Sequence, residues 1–230
     1  LMPNDDRDAA AIVEQKMVRD GVKLLCCGKE LKFSKIDTGK RLTVDSHGQY
    51  YDITVDEILL GVGRTPNVQG LGLETAGVQY DRNGVMVNER LQTTNPRIYA
   101  AGDICSKYKF THAADAMAQI VIQNALFPHP FGLAYASADS LVMPWCTYTE
   151  PEVAHVGMYE ADARAKGLEV ETYTYHLAEV DRAILDGEDE GFARVHIQKG
   201  TDKILGATIV AYHAGDMINE FSVLMKAGAG

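Results

Sequence analysis

Cysteine is scarce in this chain: Cys26, Cys27, Cys105 and Cys146 are the only four in 230 residues. Thiols so few and so irregularly spaced build neither a disulfide framework nor a zinc site, so free thiols and no metal centre are expected. Long apolar runs are missing as well. None approaches the roughly 18 residues that span a bilayer, and no signal-peptide pattern opens the chain, so no membrane is expected and a cytoplasmic location is. Basic side chains are outnumbered, with 22 Lys and Arg against 32 Asp and Glu, a formal charge of -10. That is the wrong sign for a phosphate backbone or anionic lipid, which removes nucleic acid and membrane surfaces from the expected partners. There is no internal repeat and no low-complexity tract. An initiator methionine is also lacking: the chain opens at Leu1 and stops at "LMKAGAG" inside a helical pattern, which reads as a piece of a longer protein.

With 46% hydrophobic and 23% charged residues, the chain has the composition of one large or two ordinary globular domains. "NDDRDAAAIVEQKMVRDG" carries acids in its first turn, apolar residues at Ala10, Ile12, Val13 and Met17, and a stop at Gly21; this predicts a capped amphipathic helix. "VKLLCC" reads as a buried strand. "KELKFSKI", "KRLTVDS" and "QYYDITVDEILLGVG" predict a small hairpin sheet, with "SHGQ" as a turn and an apolar strand at Ile58–Val62. Residues 65–83 are a connection rich in turn chemistry. "GVMVN" and "RIYAAGD" follow as short strands and "HAADAMAQIVIQNALF" as a helix. Pro128, Pro130 and Pro144 mark a boundary near residues 128–142. Beyond it, "PWCTYT", "EVAHVG", "LEVETYTYHL", "FARVHIQKG" and "ILGATIVAY" read as strands, "YEADARAKG" and a segment from about Ala214 as helices. This is an α+β unit with an antiparallel sheet.

Few motifs carry chemistry. "GVGRTP", Gly61 to Pro66, is no dinucleotide fingerprint, because Pro66 replaces the third Gly and no helix follows to meet a pyrophosphate; it is either a Gly-permitted bend or a close backbone approach to a ligand. Adjacent Cys26 and Cys27 would point to opposite faces of a strand, which favours structural cysteines over a shared metal. Cys105 follows Asp103, whose carboxylate should raise the thiol pKa, so a nucleophilic role is not expected. Asp103 itself ends an apolar strand beside Gly102. A carboxylate there suits a hydroxyl donor on a ribose or sugar-alcohol chain, with an ordinary turn or cap as the alternative. The histidines are scattered, and Glu150 and Glu152 around Pro151 fix a turn rather than form an acid/base pair.

Taken in order, "ILLGVGRTPNVQGLGLETAGV", "GVMVNERLQTTNPRIYAAGD" and "YTEPEVAHVGMYEADA" resemble the pyridine nucleotide-disulfide oxidoreductases, a family of FAD flavoproteins. "DRAILDGEDEGFARV" and "ILGATIVAYHAGDMINEF" look closest to its mercuric-reductase-like and lipoamide-dehydrogenase-like branch. The resemblance implies an α/β plus α+β fold: residues 1–65 the rear of an NAD(P)-binding Rossmann-like domain, 66–136 the C-terminal part of the FAD domain, and 137–230 a truncated interface domain through which a homodimer forms. It implies that Gly102 and Asp103 lie by the ribityl chain and pyrophosphate of FAD, and that Phe110, Thr111 and His112 open a helix against the flavin ring. Gly63 and Arg64 would lie where the chain passes NAD(P), with Glu30 an adenine-side contact. The implied substrate is a small-molecule or protein disulfide or dithiol, or Hg(II). No catalytic residue is assigned, since the Gly-rich loops, the redox Cys-x-x-x-x-Cys and the C-terminal His/Glu pair of such enzymes do not occur in these residues. A second class of reading is a dimerisation module without turnover.

Overall fold

The computed structural model describes all 230 residues and divides them into two compact units, Leu1–Val62 with Cys146–Gly230, and Gly63–Trp145. In chain order the elements are α1 (Arg7–Arg19), β1 (Lys29–Ile36), β2 (Gly39–Ser46), β3 (Gln49–Val55), β4 (Tyr80–Asp81), β5 (Gly84–Val85), α2 (Thr111–Leu126) and β6 (Trp145–Thr147). There follow β7 (Glu152–Gly157), α3 (Glu160–Ala165), β8 (Val170–His176), α4 (Asp181–Asp186), β9 (Phe192–Gln198), β10 (Ile204–Ala211) and α5 (Ala214–Ala227).

In the first unit α1 starts where Asp6 accepts the Asp8 amide at 2.9 Å and ends with Lys16 and Arg19 in its last turn, each end matched to the helix dipole. Its Ala9, Ala10 and Val13 are buried. The strands β1, β2 and β3 form an antiparallel meander. Its second turn is the "SHGQ" of the sequence: His47 and Gly48 both take positive φ, 54° and 79°, as a two-residue hairpin loop with native twist requires. A second sheet has the order β6-β7-β10-β9-β8. β10 lies at its centre with every residue buried, so it is covered on both faces. On one face Val153, Phe192 and Val210 meet Ala9 and Val13 of α1. Ala154, Val156, Ala207 and Ile209 alternate with these and point the other way, the side on which α5 packs against β7 and β10.

The start of α5 depends on a neighbouring strand. Its N-cap residue, His213, gives no side-chain cap, and Glu152 Oε2 on β7 instead accepts the Gly215 amide at 2.9 Å. The Cys146 thiol donates to the same oxygen at 3.8 Å. A Cβ on Gly215 would come 3.1 Å from Cys146 Sγ and 3.3 Å from that carboxylate, so glycine permits the approach. Replacing Glu152 by Ala is expected to destabilise the unit by about 1–2 kcal/mol, as loss of a helix cap does, and a urea titration followed by far-UV circular dichroism measures it.

In the second unit α2 packs Met117 and Ile120 on Leu91. Buried Asn124 ties the end of α2 to the following strap: its Nδ2 donates to Ala136 O at 2.9 Å and Arg90 O at 3.2 Å, and its Oδ1 accepts the Ala136 amide at 2.9 Å.

Several sequence expectations need correcting. "VKLLCC" is not a strand: Cys26 and Cys27 sit in a turn, Cys27 exposed with φ 55°, so the picture of two buried strand cysteines fails. Ile58–Val62 forms no ladder either. The meander stops at Val55, and Leu59 is 97% and Val62 90% exposed, because an apolar run becomes a strand only where another strand offers its hydrogen-bonding edge. "GVMVN" and "RIYAAGD" shrink to β5 and the isolated bridges Val87–Thr93 and Gln92–Tyr99. The helix α4 has no counterpart in the reading from periodicity.

Candidate functional site

The second unit brings most of the singled-out residues into one loop system. Asp103 does not end a strand; it sits in a tight 3-10 turn, Gly102–Ile104, and is exposed. Gly102 is buried at φ 78°, and a Cβ there would meet Ala114 Cβ of α2 at 3.0 Å, so this residue sets how closely turn and helix approach. Lys109 closes the loop from its far end. Its ammonium donates to Asp103 O at 3.0 Å and Ser106 O at 3.3 Å, which engages the main chain at Asp103 and leaves the carboxylate outward. The Arg64 guanidinium donates to Lys109 O, tying the Gly63–Arg64 bend to the same loop.

Helix α2 begins without a side-chain cap. Its N-cap residue, Phe110, is extended, and the first backbone bond runs from the Ala114 amide to Phe110 O, which leaves the amides of Thr111 and His112 without intrahelical acceptors. No acidic side chain stands in the first turn. The positive end of the helix dipole is therefore open to an anionic or electron-rich group. His112 is fixed by a 2.8 Å hydrogen bond from Nε2 to Pro144 O, and its ring stacks on Phe110 at 5.4 Å. Since a carbonyl only accepts, Nε2 carries the proton.

Burial sets the thiol chemistry. Cys105 is pushed up to about 11 by desolvation, with Lys109 pulling the other way; the neighbouring carboxylate expected from the sequence is not the cause. Cys146 is pushed up to about 12, first by burial and then by Glu152. Neither thiol is a ready nucleophile at neutral pH.

Gly102, Asp103, Phe110, Thr111, His112, Gly63 and Arg64 thus share one unit, whereas Glu30 lies in the other, exposed on β1 with φ 52°. Gly63 has φ 104° and open space around it, so its backbone conformation, not crowding, calls for glycine. Three contributors escaped the sequence reading. These are Lys109, the Pro144 carbonyl, and Gly84, where a Cβ would fall 2.0 Å from Ile104 O. Only Gly84 left a signal, in the turn "DRNG".

Residues 1–119 match the family profile described as pyridine nucleotide-disulphide oxidoreductase, and residues 143–230 match the dimerisation domain of the same family. A mercuric reductase of Staphylococcus aureus is 34% identical over 229 residues, 99% of this chain and 41% of that protein. A dihydrolipoyl dehydrogenase of Thermus scotoductus is 32% identical over 235 residues, all of this chain and 49% of that protein. Among solved structures, the HOCl-induced flavoprotein disulfide reductase RclA from Escherichia coli superimposes with a TM-score of 0.84 at 27% identity, over 99% of this chain and 51% of that one. The chain thus spans about half the length of the proteins it matches. Two family profiles in the expected order, carried on a matching fold, show that this chain belongs to the pyridine nucleotide-disulphide oxidoreductase family.

Proposed function

We propose that this chain supplies part of an FAD- and NAD(P)H-dependent oxidoreductase of the mercuric-reductase-like branch. Such an enzyme takes two electrons from NAD(P)H as a hydride and delivers them, as electrons, to a disulfide or to Hg(II). The observation that carries the reading is the uncapped start of α2 beside an outward-facing Asp103. The residues fit a flavin: Gly102 lets the turn lie against α2, Asp103 would accept hydroxyl donors of the ribityl chain, and the free amides at Thr111 and His112 would face the ring. When bound, FAD supplies the two-electron chemistry. The protein's own contribution here is to bind and orient it. Gly63 and Arg64 form the nicotinamide-side bend, held to the flavin-side loop through Lys109 O, and Glu30 is assigned to the adenine side.

In this reading residues 1–65 are the rear of the NAD(P)-binding domain, 66–136 the C-terminal part of the FAD domain and 137–230 the interface domain of a homodimer. The exposed Met217, Val223 and Leu224 on α5 support a dimer contact there. Relatives of both names match at similar identity, so dihydrolipoamide is the second substrate to test.

Protein made from the complete reading frame should be yellow, release FAD on denaturation and oxidise NAD(P)H; colourless protein would overturn the proposal and leave the dimerisation module standing. Asp103→Leu should reduce flavin occupancy about tenfold or more, as expected when a charge-assisted hydrogen bond is lost, while far-UV circular dichroism stays unchanged. Turnover with Hg(II) against lipoamide then identifies the acceptor.

A further inference from the structure

The sheet face under α1 is organised in three cross-strand rows. In the first, Val153, Val210 and Phe192 are register partners and meet Ala9 and Val13. In the second, His155, Thr208, Arg194 and Thr174 stand opposite one another. His155 Nδ1 bonds Thr208 Oγ1 at 2.8 Å, and Arg194 Nε donates to Thr174 Oγ1 at 3.0 Å. In the third, His196 bonds Thr172 at 2.8 Å.

The polar rows reach α1 through two side chains. Arg194 turns its remaining nitrogens off the sheet, Nη1 to Asp6 at 2.6 Å and Nη2 to Asp8 at 2.8 Å. Tyr159 stacks on the His155 ring at 3.7 Å and donates its hydroxyl to Asp5 at 3.3 Å. Beneath these lie two imidazoles, 0% and 2% exposed.

We propose that this arrangement is a proton-operated latch: Arg194 and Tyr159 hold the N-terminus of α1 on the dimerisation sheet, and proton uptake by His155 and His196 releases the helix before the sheet unfolds. The inference is independent of the flavin reading.

The charged and titratable groups around the pair come from every element packed there. The first turn of α1 and the residues before it bring Asp5, Asp6 and Asp8; α3 and its cap bring Tyr159, Glu160 and Asp162. β9 brings Arg194, and β8 brings His176 edge-on to Phe192; β10 presents only Thr208. Burial lowers His155 to about 4, with His196 adding to the effect while the Gly157 carbonyl and Asp6 oppose it. His196 is lowered by burial and by Arg194, against the pull of Glu160 and Asp6. Both imidazoles are therefore neutral when α1 is docked, and acid favours the state that hydrates them. Because these pKa values are depressed, docking is at full strength above the ordinary histidine value of 6.5 and weakens as pH falls towards 4. His155 alone then contributes roughly tenfold per pH unit. The helix goes first because one apolar row, the two polar anchors at its N-terminus and a half-exposed Arg19–Glu190 ion pair at its other end hold it, whereas β10 is buried throughout and paired on both sides.

Amide hydrogen exchange on this 230-residue chain, corrected for intrinsic rates, tests the latch. Between pH 6.5 and 4.5 the amides of α1 should lose about a hundredfold in protection while those of β10 hold. A double variant, His155→Gln with His196→Gln, should keep α1 protected to within a few-fold over that range. Arg194→Met at pH 7.5 should cost α1 about tenfold or more in protection and leave β10 unchanged. Simultaneous loss in α1 and β10 of the unaltered protein, or α1 release at an unchanged pH in the double variant, overturns the proposal. Should the double variant not fold, the split between α1 and β10 together with Arg194→Met decides, and absence of either effect rejects the latch.

Discussion

Phe192→Ala is expected to destabilise the first unit by about 3–5 kcal/mol, the range for emptying a buried aromatic site. Phe192 is 2% exposed and belongs to the buried cluster that joins the two sides of the α1 docking surface, Val153 and Val210 on the sheet and Ala9 and Val13 on the helix. Its ring also lies under the Arg194 guanidinium, 4.5 Å from the centroid, so the substitution removes a packing surface and a support for the charged anchor together. Collapse around the cavity is limited, because β9 is pinned between β10 and β8. Denaturant unfolding read by circular dichroism gives the value. A loss below about 1 kcal/mol would mean that α1 is not packed on this sheet in solution.

Gly84→Ala should cost the second unit about 2–4 kcal/mol, combining backbone strain with overlap. The residue has φ 121°, and the new methyl would fall 2.0 Å from Ile104 O and 3.4 Å from Pro66 Cβ. The displaced carbonyl belongs to the turn that presents Asp103, so under the proposed flavin role of that residue flavin occupancy of the complete protein should fall with stability. Gly63→Ala is the control: its φ is 104°, nothing lies within 4 Å, and the cost should be the conformational one alone, about 1–2 kcal/mol. Equal melting temperatures for the two variants would show that Gly84 is not in close contact with the turn.

The contrast between these glycines shows where sequence reading stops. Both stand in turn-rich stretches, and local composition calls for flexibility at each. Only the folded chain carries Ile104 back against Gly84, across twenty residues of sequence. Asp103 shows the same limit. The apolar run before it reads as a strand, but "RIYAA" finds a single bridging neighbour at Tyr99 and turns into a 3-10 turn instead. For Cys105 the sequence points to a neighbouring carboxylate as what raises the thiol, whereas in the fold the cause is burial and not charge. The pairing of two buried histidines in adjacent rows left no trace in the sequence, because His155 and His196 are forty-one positions apart and are brought near only through the register of β7, β10 and β9.

By itself the sequence determined the helices other than α4, where the hairpins turn, that the second half is an antiparallel α+β unit, and which family the ordered motifs resemble. These are local properties, set by the period of apolar residues and by turn chemistry within a few positions. Tertiary structure alone decided that Ile58–Val62 and "VKLLCC" are not strands, that Lys109 and Arg64 tie the loops carrying Asp103 and Gly63, and that α1 docks on the sheet through Arg194. Each of these outcomes depends on what a distant segment offers, whether a ladder edge, a carbonyl or a carboxylate. Such complementarity is fixed only when the chain closes on itself.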